Sequence, residues 1–238
     1  MSFPFFPPFR FAPRAALPLL ALAALLGHAL FAPVAARAET LAVRLQQAYA
    51  AVGSMRTEFT QQLTHKESGS VEKRSGVLLF KKPLLVRWET KKPSPELLIV
   101  GEKAIWNVFP DEELAYKYSP AIAEDSGGII KVVTGQARLD QDYDLEDEGK
   151  DGDLITVRLY PRQPSQSLVE AALWIDPSTY LIKKIKVFDF YGNENEIAFT
   201  RQETGAAVKD GEFGYSPPKD FLVEDRTDRT ELDKPLLQ

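Results

Sequence analysis

The sequence predicts a mainly β protein of the α+β class, built as one highly curved antiparallel sheet with helices packed against its concave side. Three observations carry this expectation. About a dozen short strand-like runs follow one another without a repeat period. The links between them, such as Gly101-Glu102-Lys103 and Pro110-Asp111-Glu112-Glu113, suit antiparallel neighbours and are too short for helical crossovers. Only two segments show helical spacing, and two short helices can cover one side of such a sheet but cannot form a layer of their own.

The N-terminus has the form of a secretory signal. Arg10 and Arg14 precede a mostly apolar run from Ala15 to Phe31, and Ala36-Arg37-Ala38 places small residues at minus three and minus one of a cleavage site before Glu39. A membrane anchor needs about 20 unbroken apolar residues, and here Pro18, Gly27 and His28 interrupt the run. The expected organisation is a cleaved signal peptide at 1–38, one domain at 39–225 and a polar tail at 226–238, with the mature chain exported.

From Glu39 the first helix is predicted: Leu41, Leu45, Ala48 and Val52 fall at spacings of three and four, and Gly53 stops them. Strands are expected at 56–63, 76–81, 84–90, 96–100, 104–109 and 114–118. The rhythm then breaks, and Ile129, Ile130, Val132 and Val133 form a short helical face that Gly135 ends. Strand patterns resume at 142–146, 153–160, 169–175, 181–190, 194–202 and 212–215, and the tail from Asp225 is polar.

Composition excludes several kinds of chemistry. Loss of 1–38 removes three arginines and no acids, which takes the net charge from −5 to −8. Such a chain has no overall charge for nucleic acid or for an anionic bilayer surface, both of which are bound through clustered Lys and Arg. No cysteine is present, so disulfides, thiolate metal sites, a cysteine nucleophile and a lipidated cysteine are all ruled out. His65 is the only histidine outside the signal, in a polar stretch that suits a solvated turn better than a catalytic triad.

Alternation within strands sorts the two faces. Arg87 and Glu89 mark the outside of their strand, which sends Leu84, Val86 and Trp88 inward. Asn107 is read the same way, leaving Trp106 and Val108 inside. Glu170 places Leu173 and Ile175 inward, and Lys184 with Lys186 does so for Ile185 and Val187. Phe59 and Leu63 share one face, as do Leu78 and Phe80. The inner face is therefore aliphatic and aromatic with no convergent acid, base or metal cluster. Either a plain core beneath two helices or a cavity completed by a ligand satisfies this pattern. In Val77 to Phe80 and Leu84 to Val86 both faces of the strand are apolar, so something must cover the second one as well.

The stretch "SGVLLFKKPLLVRWETKKPSPELLIVGEKAIWNVFP" resembles the LolA family of periplasmic lipoprotein carriers: a strand, a basic-Pro pair, a strand with Trp, then a Pro and a strand with a second Trp. "FTQQL", "VVTG", "FDFYGNENEIAFT" and "FGYSPPKDFLVED" agree with that family's pattern in the same order. The resemblance implies an incomplete antiparallel β-barrel whose helices form a lid over a hydrophobic cavity. It makes Ile129, Ile130, Val132 and Val133 part of the lid and the inward residues above the lipid-binding lining.

What the resemblance implies about activity is a non-enzymatic, cofactor-free monomer that takes the acyl chains of lipoproteins. The partners so implied are an inner-membrane ABC-type release complex and an outer-membrane receptor, or direct delivery to the outer membrane. The family's Arg-Pro is Lys82-Pro83 here, so the residue that latches the lid would be Lys82, which keeps the charge and loses the planar fork of donors, or the latch would borrow Arg87. Val86 stands where an aromatic is usual, and Val108-Phe109-Pro110 replaces a Tyr-Asp after the second Trp. A lipid-sensing regulatory module of the same fold is the other reading. The acidic run "DQDYDLEDEGKD" imitates the start of a calcium loop, but Leu145 stands where Gly is needed and Asp151 where a bidentate Glu is expected.

Overall fold

The computed structural model describes residues 34–122 and 129–229. The expected signal peptide up to Pro33, the side chains of residues 34–40 and of Ile129, residues 123–128 and the last residues of the tail lie outside the described residues. Helix α1, Val34–Ala51, leads through Val52 and Gly53 directly into a twelve-stranded curved, unclosed sheet. Its strands are β1 (Ser54–Thr64), β2 (Val71–Lys81), β3 (Leu85–Lys92), β4 (Glu96–Val100), β5 (Ile105–Phe109), β6 (Leu114–Tyr118), β7 (Tyr143–Asp151), β8 (Leu154–Pro161), β9 (Glu170–Ile175), β10 (Ile182–Phe188), β11 (Glu194–Thr204) and β12 (Leu222–Asp225). Between β6 and β7 the described residues include the short helices α2 (Ile129–Val133) and α3 (Leu139–Asp142).

The spatial order is β12-β6-β5-β4-β3-β2-β1-β11-β10-β9-β8-β7, so most sequence neighbours pair, β1 joins β11 and β6 joins β12, and the ends of the sheet are β12 and β7. Two features of this order depart from the sequence reading. Residues 212–215 form no strand; Asp210–Phe213 is a 3-10 turn, held where the Glu212 carboxylate accepts from the Lys209 amide at 3.1 Å. The chain after it does form one: β12 adds to β6 in parallel, so the sheet is not purely antiparallel. Four residues with one exposed apolar pair carry no period of their own, and only the open edge of β6 gives them a reason to extend.

Alternation along the central strands separates two cores. Leu78, Phe80, Val86, Trp88, Leu98, Val100 and Ile105 join one large cluster on the inner face, together with Leu41, Leu45 and Tyr49 of α1, Val52 just after it, and Ile130, Val132 and Val133 of α2. Val77, Leu79, Leu85 and Ile99 point the other way and meet Phe213, with Leu97, Trp106, Val208 and Tyr215 at the margin. The doubly apolar run of β2 and β3 is thus explained. One face carries the helices, and the other is capped by the segment that follows β11.

Gly76 allows the closest approach in this sheet. A Cβ there would fall 1.9 Å from the Glu89 carbonyl oxygen and 2.9 Å from the Phe59 ring, at a point where the β2–β3 register shifts. Only hydrogen fits, which lets Phe59 lie over the strand and reach Trp88.

Candidate functional site

The inner face is centred on three aromatic rings contributed by three strands. Phe59 on β1 and Trp88 on β3 lie 4.4 Å apart between centroids, and Phe199 on β11 meets Trp88 edge-on at 6.4 Å. Leu78, Phe80, Val86, Leu173, Ile175, Ile185 and Val187 surround them, all buried in the same cluster. Leu84 packs half-buried against this cluster from the turn before β3, and Leu63 is buried at the rim. The alternation rule therefore brings eleven of the thirteen expected residues to one side.

Trp106 and Val108 are the exceptions. Trp106 pairs with Ile99 and Val108 with Leu97, both of the outer cluster, so these two residues belong to the outer face and Trp106 stacks edge-on against Tyr215 at 5.5 Å. Asn107 misled the assignment: it lies opposite Leu98 on the inner face, and its buried Oδ1 has no hydrogen-bond partner among the described residues. In their place Ile105, Leu98 and Tyr118 face inward. Phe199 was also missed; its inward direction follows from sharing a side with Ile197 in "NEIAFT".

The cover is α1, with α2 beside it, and it is fastened by a few polar contacts. Lys82 Nζ donates to the Ala50 carbonyl at 2.5 Å, one of the carbonyls that the end of a helix leaves free, and its charge suits the negative end of the helix dipole. The Ile182 amide, freed by a register shift in the β9–β10 ladder, donates to the Tyr49 hydroxyl at 3.2 Å. Burial pushes the Tyr49 phenol well above its usual pKa, the Ile182 hydrogen bond opposing this only in part. Gln46 Nε2 donates to Asp140 Oδ1 of α3 at 2.9 Å, and Arg44 donates to the Tyr180 hydroxyl at 2.6 Å. Among the described residues Lys82 donates to the end of α1, whereas α2 meets α1 where Gly135, just beyond its last turn, lies against the Tyr49 side chain.

Lys82→Leu is expected to free the last turn of α1 while leaving the apolar face unchanged. A hydrogen bond at a half-exposed ammonium is worth about 1 kcal/mol, which raises the open population roughly fivefold. Hydrogen exchange at the α1 amides measures this, and Lys82→Arg should restore protection. Equal protection in Lys82→Leu and the parent would show that Lys82 holds nothing closed.

At the other end of the sheet the inner face turns polar. Gln61 donates to Asn195 at 3.0 Å, and Arg74 bridges Glu72 at 2.6 Å and Glu96 at 3.3 Å. A groove of about 290 Å³ opens there between the β1–β2 and β10–β11 turns, floored by Leu63 and Val187 and rimmed by His65, Glu72, Arg74 and Asn193.

A curved, unclosed sheet with helices over its apolar inner face defines the mainly β fold class of the chain. Residues 50–216 match the family described as outer membrane lipoprotein carrier protein LolA, and the chain belongs to that family. A protein of Chromobacterium violaceum named outer-membrane lipoprotein carrier protein is 28% identical over 193 residues, covering 80% of this chain and 91% of that one. One of the same name from Pectobacterium carotovorum is 26% identical over 175 residues, covering 74% and 83%. Among solved structures, an uncharacterized conserved protein from Thermus thermophilus shares the fold, with a TM-score of 0.53 and 14% identity over 80% of this chain and 99% of that one.

Proposed function

We propose that this chain is a periplasmic carrier that shelters the acyl chains of lipoproteins on the inner face of its sheet. The observation that supports it is the apolar cluster around Phe59, Trp88 and Phe199, covered by a helix that lays Leu41, Leu45 and Tyr49 on it and is tied down by hydrogen bonds from Lys82 and Ile182. Acyl chains and helices would take turns on the same surface: Leu41, Leu45 and Tyr49 cover it now and would give way on loading. In this reading an inner-membrane ABC-type complex supplies the cargo, and an outer-membrane receptor or the outer membrane itself receives it. Cleavage between Ala38 and Glu39 would shorten α1 to residues 39–51 and leave every contact named here in place.

Magnitudes favour partial burial. One chain of about 15 methylenes gains roughly 12 kcal/mol when fully buried, so three would exceed the ceiling of about 20 kcal/mol for any non-covalent complex. A lid that costs energy to open lowers the net affinity and allows release to a more apolar acceptor without nucleotide.

The test is displacement. The chain starting at Glu39 should bind an apolar fluorescent probe in its folded state, and a triacylated lipopeptide should displace it in proportion. A folded protein that binds the probe but releases none to the lipopeptide would leave the inner face as an ordinary core.

A further inference from the structure

The β10–β11 hairpin ends in two aromatic residues that cover nothing. Phe190 is 71% and Tyr191 67% exposed, and their rings meet edge-on at 5.6 Å. The backbone that carries them is tightly held. Asp189 accepts from the Tyr191 and Asn193 amides at 2.8 Å each, the Phe190 amide donates to the Gln166 carbonyl, and the Lys66 amide donates to Asn193 Oδ1. Gly192, at φ +76°, lies directly under the Lys66 stem. Two large exposed rings on a held turn are a presented feature, since a solvated turn needs neither their area nor this bracing.

A second observation concerns charge at the same end of the sheet. Lys66, Lys73, Lys91 and Lys92 are exposed, and none has a carboxylate within 4.0 Å among the described residues. The β1–β2 pairing and the contact of Ser75 with Lys92 place all four around the tip of the β1–β2 and β3–β4 turns. Most acids nearby are engaged: Glu72 and Glu96 by Arg74, Glu194 by Lys186, Asp189 by its own loop. Glu67 is exposed among them, and the exposed Asp111, Glu112 and Glu113 lie beyond β4. An acidic protein thus concentrates free positive charge beside its exposed aromatic pair.

We propose that this end of the sheet docks on an anionic phospholipid bilayer, with Phe190 and Tyr191 as anchors in the headgroup region and the four lysines as the electrostatic contact. Aromatic rings with one polar edge settle at that depth, and lysines near an anionic surface add attraction that salt removes. Docking in this pose brings the mouth of the Leu63–Val187 groove to the membrane surface. The inference does not depend on what the inner face carries.

Vesicle flotation tests it, with the chain starting at Glu39 and vesicles of phosphatidylcholine containing roughly a third phosphatidylglycerol, beside vesicles of phosphatidylcholine alone. The parent should float with the anionic vesicles, and high salt should release it. Phe190→Ser with Tyr191→Ser, and separately Gln at all four lysines, should each cut the bound fraction about tenfold, while probe displacement by lipopeptide stays unchanged. These positions are exposed, so the fold survives, as circular dichroism would verify. Equal flotation on both kinds of vesicle, or binding untouched by either set of changes, overturns the proposal. So does a parent that ignores both vesicles.

Discussion

Val86→Glu is expected to cost about 4 kcal/mol or more of stability and to abolish binding of an apolar probe, whereas Arg87→Glu costs about 1 kcal/mol and leaves binding intact. Val86 is fully buried between its partners Phe80 and Val100, and a carboxylate in that place has neither water nor a cation. Arg87, one residue on, lies on the other face and is partly exposed. Its loss removes a 3.5 Å ion pair with Glu89 and a bond to the Glu212 carbonyl, and adds repulsion between two glutamates that water screens. Urea denaturation and probe titration on both variants give the comparison. If Arg87→Glu were the more damaging, the inner and outer faces would be exchanged.

The second large effect is at Gly135. It follows α2 with φ +69°, and a Cβ there would lie 2.1 Å from Cβ of Tyr49. Gly135→Ala therefore combines left-handed strain of about 1 kcal/mol with a collision against the side chain that anchors α1 to β10. The expected loss is about 3 to 5 kcal/mol, with early exchange of the Ile182 amide as Tyr49 withdraws. Gly149→Ala separates the two causes: its φ is +89° but nothing lies within 4 Å, so it should lose only the strain. Comparable losses in the two variants would mean that α2 and α1 are not packed as described.

Much of the sheet could be read from alternation and punctuation. The expected bounds of β4 and β6 match the observed ones, because Gly, Pro and acidic pairs flank them on both sides. The inner direction of Val86 and Trp88 follows from Arg87 and Glu89, whose charges must reach water. The same reasoning failed on β5, where the only polar residue is a neutral amide that tolerates burial, so Asn107 was no guide to the outside. Residues 208–215 and β12 were not legible at all. Their conformation is set by surfaces that distant strands offer, the outer cluster in one case and the β6 edge in the other. The partner of Lys82 was half legible: a basic residue beside Pro83 could be marked as a latch, but which helix it fastens depends on where α1 ends.

The acidic run 140–151 takes on another meaning once the sheet is seen to stay open. A barrel that does not close leaves two strand edges, each with unpaired amides and carbonyls able to recruit a further strand from a neighbouring molecule. Here β12 occupies the edge of β6, and the opposite edge is β7. Asp144, Glu146 and Glu148 project from β7 at every second residue, exposed, with Asp144 paired to Arg162 and Glu148 to Arg158 of β8, and the ladder is interrupted by a bulge between Asp147 and Gly149. A kinked backbone with charged side chains at every second residue makes that edge a poor template for a second copy. The run that imitates the start of a cation loop thus blunts the open edge of an unfinished barrel, where a flat apolar strand would recruit its neighbour and extend chain by chain into fibres.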